Sequence, residues 1–317
     1  MAQKGTIVGI DVAKEKIDAA IRFGAEASFA NGAEGRRELR AWLQEHGVYK
    51  AVMEASGGYE RSWAALLRGA GVEVVIADPN RVRHFAKSAG QLAKNDPIDA
   101  RMIAWFGEVF GHASGQPHDE ERQELDQMVT ARMGIARLKE QIEGWGEHEQ
   151  PKAVQKAHQA LLKAVAIQLD KLEDIIAAKI DKTEPFAQRA EIIQSVPGLA
   201  GNAAAGLIAF LPELGLVDRQ AASALLGVAP FDDDSGKRHG QRHIQGGRRK
   251  LRKLLFMPIV GAATQHNPVL KACYQRLIAK GKKAKVALIA CMRKLIVILN
   301  TMLARQQKWD PSRYALS

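Results

Sequence analysis

The stretch "TIVGIDVAKEKIDAAIRF", Thr6 to Phe23, decides how the fold begins. Its first seven residues are rich in β-branched side chains and read as a buried strand. After a short polar turn, "KIDAAIRF" reads as the hairpin partner of that strand. Working outward, "AEGRRELRAWLQEHG" (33–47) is an amphipathic helix with Leu39, Trp42 and Leu43 on one face, ended by Gly47. "KAVMEA" is a short strand, and Ser56-Gly57-Gly58 turns the chain into the helix "YERSWAALLRGAG". "VEVVIADP" is a further strand, stopped by Pro79, and "NRVRHFAKSAG" and "PIDARMIAWFGEVF" are helical. A hairpin first and β-α alternation afterwards predict an α/β domain with a mixed sheet over residues 1–112.

"ASGQPH" (113–118) reads as a linker. Apolar residues then recur at Leu125, Met128, Ile135, Leu138, Ile142 and Trp145, and after Pro151 at Leu162, Val165, Leu169, Leu172 and Ile176. Spacings of three, four and seven fit two long helices over 113–185. They form either an oligomerisation coiled coil or a pair packed within one chain. From residue 186 to 317 the chain is mainly α-helical. "SVPGLAGNAAAGLIAFL" turns at Pro197-Gly198 into an Ala-rich helix, "DRQAASALLGVAP" is a second helix, and two apolar-and-basic helices lie near 248–264 and 284–304. "VPGLAG" resembles the turn of a helix-hairpin-helix, whose backbone N–H groups face a phosphate, and reads equally as a plain interhelical turn.

The 317 residues carry a net charge of +11, with a sequence pI of about 9.6. The charge is lopsided. From Gly236 to Ser317 there are nineteen Lys and Arg against one acid, Asp310, while the rest of the chain is net acidic. A solubilising surface intersperses both signs, so the concentration in one segment points to a polyanion partner. Cys273 and Cys291 lie in apolar helical surroundings and read as buried thiols, with no Cys-based zinc spacing. Met1 to Lys4 leads straight into the first strand without a signal peptide. "VALIACMRKLIVILNTML" is interrupted by Arg293 and Lys294, so no membrane span is expected and a cytoplasmic, nucleoid-associated protein is.

Four carboxylates stand out. Asp11 ends the first strand, Glu54 ends a later one, and Asp96 and Asp99 lie in "KNDPIDARMIA". Pro97 favours a first helical turn, which makes Asp96 a cap and puts Asp99 one turn along. Strand ends are where functional groups gather in an open α/β sheet, so the four can converge. Hard oxygen ligands suit Mg²⁺, and paired ions clamp the attacking and leaving oxygens of a phosphodiester. Singly, each acid also reads as a cap or an ion-pair partner.

The second candidate is "FDDDSGKRHGQRHIQGGRRKLRK", Phe231 to Lys253. Ser235 sits beside Gly236 in a loop, and Lys237, Arg238, Arg242, Arg248, Arg249 and Arg252 supply cations. Forked guanidiniums neutralise a phosphate and fix it for attack by a hydroxyl. Arg248 and Arg252 share a helical face at i, i+4. Asp232, Asp233 and Asp234 read as a polar turn, and His239 and His243 as loop histidines or proton shuttles. On its own, Ser235 reads as a turn serine beside glycine before it reads as a nucleophile.

Together, "GIDVAKEKIDAAI", "VMEASGGYE", "KNDPIDARMIA", "SVPGLAGNAAAGLIA", "LLGVAPFDDDSGKRHGQRHIQGGRRKLRKLLFM" and the closing "KWD" resemble, in order and over nearly the whole chain, the insertion-sequence-110 family of DEDD transposases. The resemblance implies a RuvC-like N-terminal domain of ribonuclease H type, a coiled-coil middle and a helical C-terminal transposase domain. Its DEDD acids map onto Asp11, Glu54, Asp96 and Asp99, as catalytic residues and Mg²⁺ ligands. Its serine nucleophile maps onto Ser235, which forms a phosphoserine with DNA. It implies donor and target DNA as partners, a non-coding bridge RNA that pairs with both, and a homo-oligomer, dimer or tetramer. This chain has Gln245-Gly246-Gly247-Arg248 where some members carry Lys-x-Gly-Asn, a subgroup difference. The expected activity is site-specific recombination through a composite site, with metal acids near the front of the chain and the serine near the back. The rival reading is a RuvC-like, Mg²⁺-dependent, structure-specific endonuclease that uses metal-activated water and no covalent intermediate.

Overall fold

The computed structural model describes residues 5–91, 96–110, 119–146, 148, 151–231, 240 and 243–314; at 96–98 it describes the helical backbone alone. The chain divides into two compact units, Met1–His118 and Asp119–Ser317.

The first unit runs β1 (Thr6–Val12), β2 (Lys16–Ile21), β3 (Glu26–Ala30), α1 (Ala33–Glu45), β4 (Val48–Glu54), α2 (Tyr59–Gly69), β5 (Glu73–Ala77), α3 (Pro79–Ser88) and α4 (Asp96–Phe110). The strands form one sheet in the order β3-β2-β1-β4-β5. β1, β2 and β3 pair antiparallel, whereas β1, β4 and β5 pair parallel. This is the expected mixed sheet. β1 is apolar because it lies centrally and is covered on both faces. On one face Val8, Ile10 and Val12 pack with Leu39 and Leu43 of α1 and Trp63 and Leu67 of α2. On the other, Val52 and Val75 pack with Val82 of α3 and Ile103 and Phe106 of α4, and Ile7 joins them. β3 has no counterpart in the sequence reading. Its "EASFA" buries one side chain, Phe29, so apolar patterning carries almost no signal there.

The second unit runs α5 (Glu120–Trp145), α6 (Lys152–Lys182), α7 (Glu184–Gln194), α8 (Gly201–Phe210), α9 (Arg219–Leu226), β6 (Pro230–Phe231), β7 (His243–Ile244), α10 (Arg249–Gly261), α11 (Pro268–Ala279) and α12 (Ala284–Ala304). Two long helices were expected over 113–185 as a region of their own; α5 and α6 are those helices, and they share a core with the later helices of the unit. Leu125 and Val129 of α5 and Ile176 and Ile180 of α6 bury together with Leu207 of α8, Leu255 of α10 and Leu299 of α12. Glu173 of α6 ties the same elements, accepting from Arg132 Nε of α5 at 2.9 Å and from Asn202 Nδ2 of α8 at 2.9 Å. The expected linker 113–118 lies outside the described residues.

The turn at Pro197-Gly198 is built for packing. Gly198 has φ +93°, and a Cβ there would press on Ala262.

By length and composition α12 is apolar enough to cross a membrane, despite Arg293 and Lys294. Its apolar window is 61% buried, however, and Leu295, Ile296, Leu299 and Met302 sit in the second unit's core. The helix is apolar nearly all round because it is central, which is the other context that yields such a pattern. Cys273 and Cys291 are free and buried in that core. Burial, and then its neighbour Cys273, push the Cys291 thiol up to about 12, which makes it inert.

Candidate active site and nucleic-acid interface

The sheet brings the N-terminal acids together by alternation. Successive side chains of a strand point to opposite faces. Val8, Ile10 and Val12 face α1 and α2, so Asp11 faces α4; Ala51 and Met53 face α1 and α2, so Glu54 also faces α4. Parallel pairing sets Ile10 opposite Met53, which leaves Asp11 and Glu54 side by side at the C-terminal ends of adjacent strands. α4 supplies the third wall. A Cβ on Gly9 would overlap the Ala100 carbonyl oxygen and the Ala104 nitrogen, so the helix backbone rests directly on β1. Farther along, a Cβ on Gly107 would press on Val52 Cγ2 and reach Ile7 Cγ2. α4 therefore runs antiparallel to β1, and its first turn, which opens at Asp96 and contains Asp99, points to the strand ends bearing Asp11 and Glu54. Arg22 Nη1 to Glu108 Oε2 at 2.7 Å and Arg101 Nη2 to Glu26 Oε2 at 3.0 Å hold the helix across the antiparallel half of the sheet.

Asp11, Glu54 and Asp99 are each half-buried. The side chain of Asp96 lies outside the described residues. Among the described residues, no three His, Cys, Asp or Glu side chains close to metal-holding distance. In kind the donors are right for Mg²⁺: carboxylates only, at strand ends, with no soft ligand among them.

A fifth acid belongs to the same face. Asp18 lies directly across the β1–β2 pair from Asp11 and is only 4% exposed. Ser28 Oγ donates to its Oδ1, and Lys16 Nζ stands 3.1 Å from its Oδ2. The sequence carries the signal. A hairpin turning at Lys14-Glu15 pairs residue 11 with residue 18.

Ser235 falls between β6 and β7, which pair antiparallel through Pro230–Ile244 and Phe231–His243. Ser235 itself, Asp232, Asp233, Asp234, Lys237, Arg238, His239 and Arg242 lie outside the described residues. His243 is exposed in β7.

The structure sorts the basic helix differently from its i, i+4 reading. The face shared by Arg248 and Arg252 turns inward. Arg248 grips Glu213 with both guanidinium ends, Nη1–Oε2 at 2.7 Å and Nη2–Oε1 at 2.6 Å. Arg252 Nη1 donates to the carbonyls of Leu226, Gly227 and Gly246 at 3.2, 2.9 and 3.0 Å. Lys250 pairs with Asp126 and sits 4.1 Å over the Phe210 ring. The exposed stripe of α10 is Arg249, Lys253 and Met257. A second exposed basic stretch, Lys280, Lys282, Lys283 and Lys285, links α11 to α12 with Gly281 at φ +74°. The run "KGKKAK" is visible in the sequence and is a nucleic-acid candidate by charge alone. Substituting all four lysines with glutamine is expected to flatten the log K against log salt slope for duplex DNA by about 3.6 if each holds one phosphate, because each phosphate contact releases roughly 0.9 counterion. Fluorescence anisotropy across a salt series measures it.

Burial would push the Glu213 carboxyl up, but the Arg248 hydrogen bonds and charge, a backbone N–H and the Arg122 charge outweigh it and hold it below its ordinary value. A carboxyl depressed in the folded state stabilises above its unfolded pKa, about 4.3, and loses that contribution as pH falls through the lower folded value. Glu213→Gln is accordingly expected to shrink the stability difference between pH 7 and pH 3 in urea unfolding.

An α/β unit with acids at its strand ends, joined to a strongly basic helical unit, defines a nucleic-acid-processing enzyme. A DEDD transposase profile of IS110 type, described as "Transposase", matches residues 8–142, and a second, "Transposase IS116/IS110/IS902 family", matches residues 190–275. The pilin gene-inverting proteins of Moraxella bovis and Moraxella lacunata are each 26% identical to this chain, covering 96% of it and 98% of themselves. An uncharacterized 44.8 kDa protein of insertion element IS116 from Streptomyces clavuligerus is 30% identical over 136 residues, 42% of this chain and 34% of its own length. The chain belongs to the IS110 family of transposases. It is an enzyme of DNA recombination, cleaving and rejoining DNA.

Proposed function

We propose that the first unit is a RuvC-like domain of ribonuclease H type and that the protein recombines DNA through a phosphoserine. The observation that carries this reading is the meeting of Asp11, Glu54 and the first turn of α4 at one end of a β3-β2-β1-β4-β5 sheet. Asp11, Glu54, Asp96 and Asp99 are the residues that hold Mg²⁺. Bound there, the ion supplies Lewis-acid stabilisation of charge on the phosphate and the departing oxygen. Ser235 Oγ attacks a backbone phosphorus. The Oγ–P bond forms as the bond from phosphorus to one deoxyribose oxygen breaks; the serine proton goes to solvent, and the freed oxygen takes one up. Attack by a deoxyribose hydroxyl of another strand reverses the sequence, so one P–O bond is exchanged for another and no ATP is required. Lys237, Arg238, Arg242, Arg249, Lys253 and the 280–285 lysines hold phosphates. Arg248 and Arg252 act on nucleic acid through the fold that they stabilise.

The proposal extends to partners. Donor and target DNA are paired by a structured bridge RNA, which leaves protein contacts to the backbone. A second copy covers the apolar residues that α5 and α6 leave exposed: Leu138, Val154, Leu161, Ile167 and Ile175, recurring along α6 at intervals near seven. The test is chemical. The protein, purified with its own nucleic acid, is incubated with Mg²⁺ and a plasmid carrying its gene and flanking DNA, then denatured, nuclease-treated and digested. Mass spectrometry finding a nucleotide-modified Ser235 peptide supports the reading. Cleaved plasmid with unmodified Ser235 sinks it in favour of the endonuclease.

A further inference from the structure

Three glycine backbones meet at the base of the serine-bearing hairpin. Gly227, Gly246 and Gly247 have φ of +79°, +66° and +66°, in the region that glycine alone adopts without cost. A Cβ on Gly247 would overlap the backbone nitrogen and Cα of Gly227; one on Gly227 would overlap the Gly246 carbonyl oxygen and Arg252 Nη1. The end of α9 and the chain leaving β7 thus cross in direct backbone contact. Arg248 N donates to the Leu225 carbonyl at 2.8 Å, which fixes the start of α10 to the same point.

Arg252 closes the crossing. One nitrogen, Nη1, serves carbonyls from both chains, Leu226 and Gly227 on one side and Gly246 on the other. The last carbonyls of a helix lack intrahelical donors and attract a cation. Arg252 meets that need for α9 and, with the same group, ties in the strand that returns from the hairpin. β6 begins three residues after Gly227, and β7 ends two residues before Gly246.

We infer that Arg252, with the Gly227–Gly247 crossing, is a positioning device for the serine: it locks the two feet of the β6–β7 hairpin whose connection carries Ser235. This rests on the reading of Ser235 as nucleophile. It assigns Arg252 to geometry, unlike Arg249 and Lys253, which face outward four residues apart.

The experiment compares Arg252→Gln, Arg252→Lys and Gly247→Ala with Arg249→Gln, all in the full chain. A mixed-sequence 40-base-pair duplex is the binding probe, and the plasmid carrying the gene is the adduct probe. Arg252→Gln and Gly247→Ala are each expected to lower adduct formation at least tenfold with the parent's salt slope, whereas Arg249→Gln flattens that slope by about 1. Arg252→Lys keeps a donor at the crossing and is expected to recover most of the adduct, while Gly247→Ala changes no charge. Trypsin gives a readout independent of chemistry: cleavage after Lys237, Arg238 and Arg242 is expected to be at least fivefold faster in Arg252→Gln than in the parent. Parent-level adduct and parent-level tryptic rates in folded Arg252→Gln and Gly247→Ala overturn the inference. So does a slope loss in Arg252→Gln with a fully active Gly247→Ala, which makes Arg252 a phosphate contact. If Arg252→Gln and Gly247→Ala lose their circular-dichroism signature, Gly246→Ala decides: its Cβ would meet nothing within 4 Å, but φ +66° disfavours alanine at the carbonyl that Arg252 holds, and parent tryptic rates with parent adduct levels there overturn the inference. If the parent forms no adduct at all, the nucleophile reading falls, and the tryptic rates alone judge the clamp.

Discussion

Ser235→Ala protein is expected to bind duplex DNA with the parent's affinity and salt slope, and to lose adduct formation by about 10⁴-fold or more, as removal of a nucleophile does in other covalent catalysts. The substitution deletes one oxygen. It leaves Lys237, Arg238, Arg242, Arg249, Lys253 and the 280–285 lysines in place, and these are the cations proposed to supply the salt-dependent part of binding. Nucleophile and grip are therefore separable in one variant. The rival chemistry makes the opposite forecast. If the acids activate water, Ser235→Ala still cuts, and denaturing gels show free ends with no protein attached. Asp11→Asn completes the comparison, since it removes charge from the proposed ion site while leaving Ser235 intact. Loss of cutting in Asp11→Asn together with full cutting in Ser235→Ala is the pattern that would sink the phosphoserine.

How much of this was legible in the chain depends on where the signals lie. β1 and β4 were readable because central strands are apolar on both faces, and the acids Asp11 and Glu54 interrupt that run at its end. β3 was not, because an edge strand with one buried side chain has no periodicity to read. The acids were legible as candidates that can converge at the strand ends; the contact that seats α4 there was not, since it depends on Gly9 letting α4 down onto β1, between residues some ninety positions apart. Asp18 was missed although simple register arithmetic across the hairpin finds it. The inward partners of Arg248 and Arg252 were not legible, and the cause is clear. Spacing of i, i+4 says that two side chains share a helical face, not which way the face points. The deciding partners, Glu213 and the Leu226, Gly227 and Gly246 carbonyls, come from other parts of the chain. In the same way, α12 reads by composition as either a membrane span or a core helix, and only its neighbours distinguish them.

Gly9→Ala is expected to be the most damaging small substitution in the first unit. The added methyl meets the Ala100 carbonyl oxygen and the backbone of Ala104, and neither can rotate away as a side chain would. α4 must lift as a body. Overpacking of this kind costs about 1–3 kcal/mol, and in a domain of this size each kcal/mol lowers the melting temperature by roughly 4–8 °C. Gly134→Ala in α5 is the matched control: its Cβ would meet nothing within 4 Å, so helix propensity alone acts and stability should hold or rise. The larger consequence is chemical. Lifting α4 carries Asp99 and the helix start at Asp96 away from Asp11 and Glu54, so adduct formation should fall well beyond the loss of folded protein, even at temperatures where Gly9→Ala is fully native. Raising Mg²⁺ should recover part of it, because a spread set of carboxylates binds the ion more weakly without losing any ligand. A Gly9→Ala protein with parent activity and a parent Mg²⁺ midpoint would show that α4 does not set the geometry of the acids. The mapping of the DEDD set onto this sheet end would then have to be given up.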